Sequence, residues 1–176
     1  MNAHKYRSFA AGFALLLLLT SAAAAGSGVS PAPPAASQDP DIHVIKEAGL
    51  QFELPKGWTA ETRPDGQIFL SFEGGAGTVT FLVADKYEDA VTGMKAGLKE
   101  QLTELKSDGE PKTDTHNGMT HIGESGSGLM KGVKITWRID VLKARTNVTI
   151  LTFGIDTIIE AHGAEYGKFV NSLKTS

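Results

Sequence analysis

The chain has 176 residues, 41% of them hydrophobic and 21% charged, a composition that fits one globular domain with a tail. It carries 17 Lys and Arg against 20 Asp and Glu, a net charge of −3, which excludes the cationic surface that nucleic acid requires and argues against adhesion to anionic lipid. With no cysteine, disulfides, thiolate metal sites, thiol nucleophiles and cysteine-borne lipid anchors are all excluded, and the domain must stand on its core alone.

At the N-terminus His4, Lys5 and Arg7 precede an apolar stretch over residues 9–20 that includes five consecutive leucines, followed by Ser21, four alanines and Gly26. A basic start, a short hydrophobic run and small residues in an A-x-A arrangement make residues 1–25 a secretory signal peptide. The run falls short of the roughly 20 residues needed to span a bilayer, so cleavage without membrane insertion is expected. Removing Lys5 and Arg7 with no acidic residue leaves 15 basic against 20 acidic side chains, a mature net charge of −5. Residues 26–41, rich in Pro, Ala, Ser and Gly, read as a flexible linker, and residues 42–176 as a single domain. An exported, cysteine-free domain is expected to be periplasmic or secreted, in a bacterial setting.

The domain opens with strand patterns. Leu50, Phe52 and Leu54 alternate with polar residues and stop at Pro55-Lys56-Gly57. Ile68, Leu70 and Phe72, then Val79, Phe81 and Val83, form a hairpin about the glycine-rich turn at 73–77. Asp85 with Glu88 resembles a capping box. Tyr87, Val91, Met94, Leu98, Leu102 and Leu105 then recur at helical spacing, predicting a helix of about 20 residues over 87–105 that ends at Ser107-Asp108-Gly109 and Pro111.

A second group of strands follows. Asn117-Gly118 is a hairpin signal, residues 119–122 form a weak strand, and the glycine-rich stretch 123–128 reads as loose chain. Val133, Ile135, Trp137, Ile139 and Val141 alternate cleanly with Lys134, Thr136, Arg138 and Asp140. After a turn at Ala144-Arg145 comes the β-branched run 147–153. A closing helix places Ile159, His162, Tyr166, Phe169, Val170 and Leu173 on one face. The fold class is α+β: a mostly antiparallel sheet of about six to seven strands, two amphipathic helices packed on it, and the order βββ-α-βββ(β)-α.

The stretch Leu50-Gln51-Phe52-Glu53-Leu54-Pro55-Lys56-Gly57-Trp58 resembles the F-x-L-P-x-G-W opening of PsbP-like proteins and of the DcrB-like periplasmic proteins. The likeness runs over roughly residues 42–173. It implies accessory work on other proteins without a shared catalytic site, so it brings no functional residues to transfer.

Among polar residues, Asp114, His116, His121 and Glu124 are the candidate set for a divalent metal, since imidazoles and carboxylates ligate zinc. His116 faces Met119 across the hairpin, and strand parity decides whether His121 shares that side. The alternative is a polar hairpin at a sheet edge. Lys134, Arg138 and Asp140 line the polar side of the long strand, either as a solvated face or as a partner-binding surface. Residues 123–128 lack the second glycine of G-x-S-x-G, which needs glycine where Ser127 stands. His162 reads as a core-boundary histidine. The sequence therefore points to an exported, non-enzymatic binding or accessory domain of the bacterial envelope with no cofactor and with a protein or small-molecule partner. The alternative is a metal-dependent hydrolase using His116, His121 and Glu124.

Overall fold

A computed structural model describes residues 41–64 and 66–176. The leader and residues 26–40 of the linker lie outside the described residues. The described chain runs β1 (Ile42–Ile45), β2 (Leu50–Glu53), β3 (Thr59–Thr62), β4 (Ile68–Phe72), β5 (Gly77–Ala84), α1 (Tyr87–Gln101), β6 (Thr103–Ser107), β7 (Lys112–His116), β8 (Met119–Met130), β9 (Val133–Lys143), β10 (Asn147–Ile155), α2 (Asp156–Ala161), α3 (Gly163–Ser172) and β11 (Lys174–Thr175). The alternation that predicted strands in β4, β5 and β9 is what the sheet uses. In β5 and β9 one parity packs under α1 and the other under α3, while the apolar parity of β4 packs on the α3 side.

Among the described residues the strands form an eight-stranded sheet, β3-β4-β5-β10-β9-β8-β6 with β7 also on β8, and a small sheet, β1-β2-β11. Every pairing is antiparallel. The α+β class holds, with more strands than the expected six to seven. The additional ones (β1, β3, β6, β7 and β11) are short and mostly polar or exposed, so they carry little of the apolar alternation by which strands are recognised.

The large sheet has two covered faces. On one, Met94 and Leu98 of α1 and the neighbouring Leu102 pack on Ile135, Trp137, Ile139, Leu151 and Phe153. On the other, Phe169 of α3 and Leu173 just after it join Leu50 and Phe52 of the small sheet, together with Trp58, Phe72, Phe81, Leu142 and Ile150. The helices thus lie on opposite sides. The expected open face on β9 is instead partly roofed by α2 and α3.

Four local expectations change. The first helix stops at Gln101, and Leu102 turns extended (φ −108, ψ 133). Leu102 and Leu105 still reach the same core, because β6 carries a bulge between Thr103 and Lys106 with Glu104 at φ 52. One extra residue turns the strand step of two into three and mimics the helical stripe. The capping box does not form: the N-cap is Lys86 and no side chain caps it. The closing helix is two helices meeting at His162 (φ −95, ψ 14).

Residues 123–128 are not loose. They are the middle of the 12-residue strand β8. Their glycines admit neighbours: a Cβ at Gly126 would lie 2.0 Å from the Lys106 carbonyl oxygen and 2.4 Å from the Trp137 ring. The Asn117-Gly118 turn does form as its dipeptide predicts, with φ of 47 and 80, pairing His116 with Met119 and Asp114 with His121.

Candidate functional site

Register assembles the polar cluster. β8 and β9 place His121 opposite Leu142, Gly123 opposite Asp140 and Ser125 opposite Arg138, all on the α3 side, and β7 brings Asp114 beside His121. His121 sits between two carboxylates, with Nδ1 2.7 Å from Asp114 Oδ1 and Nε2 2.7 Å from Asp140 Oδ1. Arg138 Nε donates to both oxygens of Asp140, at 2.9 and 2.8 Å. Gly123 leaves room for this pairing, since a Cβ there would stand 3.0 Å from Asp140 Oδ1. An imidazolium satisfies both carboxylates at once.

The charges reinforce one another. The Asp140 hydrogen bond raises the His121 pKa above its ordinary value against burial, which lowers it, and Asp114 adds to the rise. For Asp140, burial works to raise the carboxyl, but hydrogen bonds from His121 and Arg138 outweigh it and hold the group below the ordinary carboxylate value. Above the cluster, Tyr166 of α3 shares a hydrogen bond with Thr152 at 3.0 Å. Burial, with Asp140 nearby, pushes its phenol well up. A cavity of about 20 Å³ lies among His121, Asp140, Tyr166 and their apolar neighbours.

The four residues singled out as metal candidates divide. Asp114, His116 and His121 share the α3 side, and the His116 and His121 rings stand 6.4 Å apart. His116 Nε2 is 2.7 Å from the Val170 carbonyl oxygen, however, and is turned to that helix. Glu124 has the opposite parity and lies under α1, with Oε2 2.5 Å from Lys95 Nζ and Oε1 accepting from Ser107 Oγ at 2.9 Å. A hydrolytic centre built on His116, His121 and Glu124 needs the three free to converge, whereas Glu124 has its two oxygens on Lys95 and Ser107 and His116 is turned to α3. Among the described residues no three His, Asp or Glu side chains are grouped to hold a metal ion.

The polar side of β9 is also more engaged than its sequence suggests. Asp140 is 6% exposed, so it faces inward and supports Arg138 from beneath. Lys134 pairs with Asp156 at the start of α2 at 2.8 Å, and Thr136 Oγ1 donates to the same carboxylate. His162 forms a hydrogen bond from Nε2 to Glu73 at 2.9 Å, while its Nδ1 is buried without a partner.

Two concavities flank the edge of β8, where β7 pairing ends at Gly123 and β6 pairing begins at Gly126. On the α3 side is a polar notch of about 190 Å³, bounded by Asp108, Glu110, Lys112, Asp114, His121 and Arg138. On the α1 side is a more apolar groove of about 310 Å³, with Val91, Ile122, Ile139 and Val141 on its walls and Glu88, Lys95 and Glu124 at its polar positions. Glu124 borders both. Sequence reasoning missed the groove because its walls come from a helix and two strands whose apolar residues read simply as core.

At the level of sequence, no family model and no curated protein matches the chain. In structure it is similar to the cyanobacterial PsbP protein CyanoP of Synechocystis sp. PCC 6803, with a TM-score of 0.60, 7% identity, and coverage of 84% of this chain and 99% of that one. Two other solved structures show a lower similarity. LpqN of Mycobacterium tuberculosis, described as involved in cell envelope biogenesis, has a TM-score of 0.43 and 11% identity over 71% of this chain and 82% of its own. A Pseudomonas aeruginosa protein of unknown function, described as a putative regulator, has a TM-score of 0.43 and 11% identity over 74% of this chain and 93% of its own. The chain has a PsbP-like fold. Among the described residues no helix is long and apolar enough to cross a membrane.

Proposed function

We propose that this PsbP-like domain is an exported, non-enzymatic accessory module of the bacterial envelope, periplasmic or secreted, that acts by binding a protein or a small ligand. The observation that carries the reading is the engagement of the polar residues that chemistry would require. His121 has a carboxylate at each ring nitrogen, and Glu124 has Lys95 and Ser107 on its two oxygens. A general base needs an open lone pair within reach of a substrate proton, and these groups are directed at the fold. The N-terminal leader pattern and the cysteine-free, acidic mature chain support export. Lys134 and Arg138, with side chains 61% and 42% exposed, are the members of the polar strand that a partner can touch.

Two measurements test this reading. Site-specific photocrosslinking from position 134 in cells expressing the full chain is expected to yield a discrete adduct that a distant surface position does not give. Metal analysis of the purified mature protein is expected to find zinc well below one per chain. Stoichiometric zinc that disappears in His121→Ala, together with hydrolytic activity lost in the same variant, would replace the binding reading with the enzymatic one.

A further inference from the structure

We infer that the free edge of β1 is a self-association surface: two copies of the chain join their small sheets by pairing β1 with β1, antiparallel, about a two-fold axis. This goes beyond the reading of the domain as a binding module, since the partner it names is a second copy of the chain.

The composition of the edge is the first observation. β1 is the outermost strand of the order β1-β2-β11, and among the described residues no other strand pairs with its far side. β3, β6, β7 and β11 each carry a lysine or an acidic side chain, the usual guard of a sheet margin. β1 reads Ile-His-Val-Ile. Its inward residues are already packed: Ile45 is buried, and the His43 ring stacks on Phe52 with centres 5.3 Å apart. Ile42 and Val44 point the other way and are 50% and 45% exposed, two of the three exposed large apolar side chains among the described residues. Glu53 and Lys174 share that face but stand on β2 and β11, behind the edge.

The main chain then sets how two copies meet. Leu54 N donates to the Asp41 carbonyl at 2.8 Å, and antiparallel ladders alternate, so Asp41, His43 and Ile45 turn their main-chain groups to β2. Ile42 and Val44 turn theirs outward. In agreement, Glu53 N, opposite Ile42, donates instead to Ser172 Oγ at 2.9 Å. Two copies pair these outward groups in a register that sets Ile42 against Val44 of the second copy, each such pair exchanging both main-chain bonds, with His43 on the axis. A shift one way would call for an N–H from position 40, which is proline. A shift the other way would call on Lys46, whose carbonyl already accepts from Gly49 N and from the Arg145 guanidinium. In the remaining register Ile42 and Val44 of both copies cover one another on the outward face. Asp41 lies opposite Ile45, so no carboxylate faces another. A seam this short buries less than the roughly 1,200 Å² of stable complexes, so the pair is weak, with a Kd on the order of 0.1–1 mM.

The chain has no cysteine, so single introduced cysteines report the register. His43→Cys is expected to form a disulfide-linked dimer under mild oxidation, because the two copies of a residue on the axis sit within bridging distance. Ile42→Cys mixed with Val44→Cys is expected to crosslink faster than either variant alone, since each position is opposite the other and diagonal to its own copy, about 7–8 Å away. The mixture keeps the test intact if His43→Cys does not fold. Sedimentation of the mature protein is expected to show a reversible monomer–dimer equilibrium over the range of that Kd. Val44→Lys, which places a charge on an exposed position of the edge, is expected to remain monomeric with an unchanged circular dichroism spectrum. A protein that stays monomeric at the top of that range, Val44→Lys dimerising as well as the unaltered protein, or Ile42→Cys crosslinking with itself as fast as with Val44→Cys would each overturn the assignment. The seam lies on the small sheet and the crosslink from position 134 reads β9 of the large one, so either can fail without the other.

Discussion

His121 and Glu124 stand three residues apart on β8 and end on opposite faces of one sheet, each in a charged cluster under a helix. Below α1 the surroundings are mainly aliphatic, and Glu124 is held by Ser107 and by Lys95, whose side chain is 38% exposed. Below α3 they are aromatic. Phe169 meets Phe52, Trp58, Tyr166 and Phe81 with ring centres 5.6 to 6.0 Å apart, and His121 belongs to a four-member network with Asp114, Asp140 and Arg138. The difference teaches that similar sequence features, a buried charge on a strand beside a helix, produce a carboxylate held by one half-exposed lysine and a serine on one side and a four-member charged network on the other. What separates the two is parity together with the depth of the partner.

If the α3 side is the more tightly organised, its centre should be the costlier one to remove. Phe169→Ala is expected to lose about 3–5 kcal/mol in urea unfolding, from cavity formation and lost ring contacts, and more than Met94→Ala measured alongside it. Equal losses would break the comparison. Next in size, Asp140→Asn should cost about 2–3 kcal/mol, because His121 and Arg138 lose a charged acceptor, whereas Lys95→Met should cost less, about 1–2 kcal/mol, because the buried Glu124 loses a cation that itself reaches solvent but keeps Ser107. A double-mutant cycle between His121 and Asp140 is expected to show clear coupling. Additive losses would mean the network is a set of independent contacts. Gly126→Ala is expected to cost about 1–3 kcal/mol through overpacking, since its Cβ would meet both the Lys106 backbone and Trp137. A neutral outcome, measured by thermal unfolding, would show that β6 can move away from β8.

The two faces also differed in how far they were legible beforehand. The stripe of α1 and the alternation of β9 are local patterns, and both appear in the structure as read. The end of α1 was not legible, because a bulged strand continued its three-residue step. β8 was not legible because glycines there serve the side chains of its neighbours, and glycine in a pattern ordinarily signals a loop. In the polar cluster, the contact of Asp114 with His121 follows from the Asn117-Gly118 register alone. Bringing in Asp140 requires the pairing of β8 with β9, which only a continuous β8 allows. Glu124 could be assigned to the other face only once residues 123–128 were known to be strand, since parity has no meaning in a loop. The split of the closing helix at His162 left no signal in a stripe that continued across it.

The smallest expected effect, a pH dependence, follows from the same network. The folded pKa of His121 lies above its ordinary value of 6.5, so the folded state holds that proton more tightly than the unfolded chain. Its contribution is therefore complete below about pH 6.5 and declines as pH rises through the raised folded value. Asp140 has the opposite sign. Its folded pKa lies below 3.8, so its contribution is present above that value and is lost as pH falls through the lowered one. Unfolding free energy measured by urea titration from pH 3 to 9 should thus be level across the weakly acid range, falling on the acid side through Asp140 and on the alkaline side through His121. In His121→Gln the alkaline decline should disappear. In Asp114→Asn it should persist but be smaller and finish at lower pH, because Asp114 contributes to the rise yet is 65% exposed and is the lesser partner. An alkaline decline in His121→Gln equal to that of the unaltered protein would place the titrating group elsewhere and remove the contrast between the two faces.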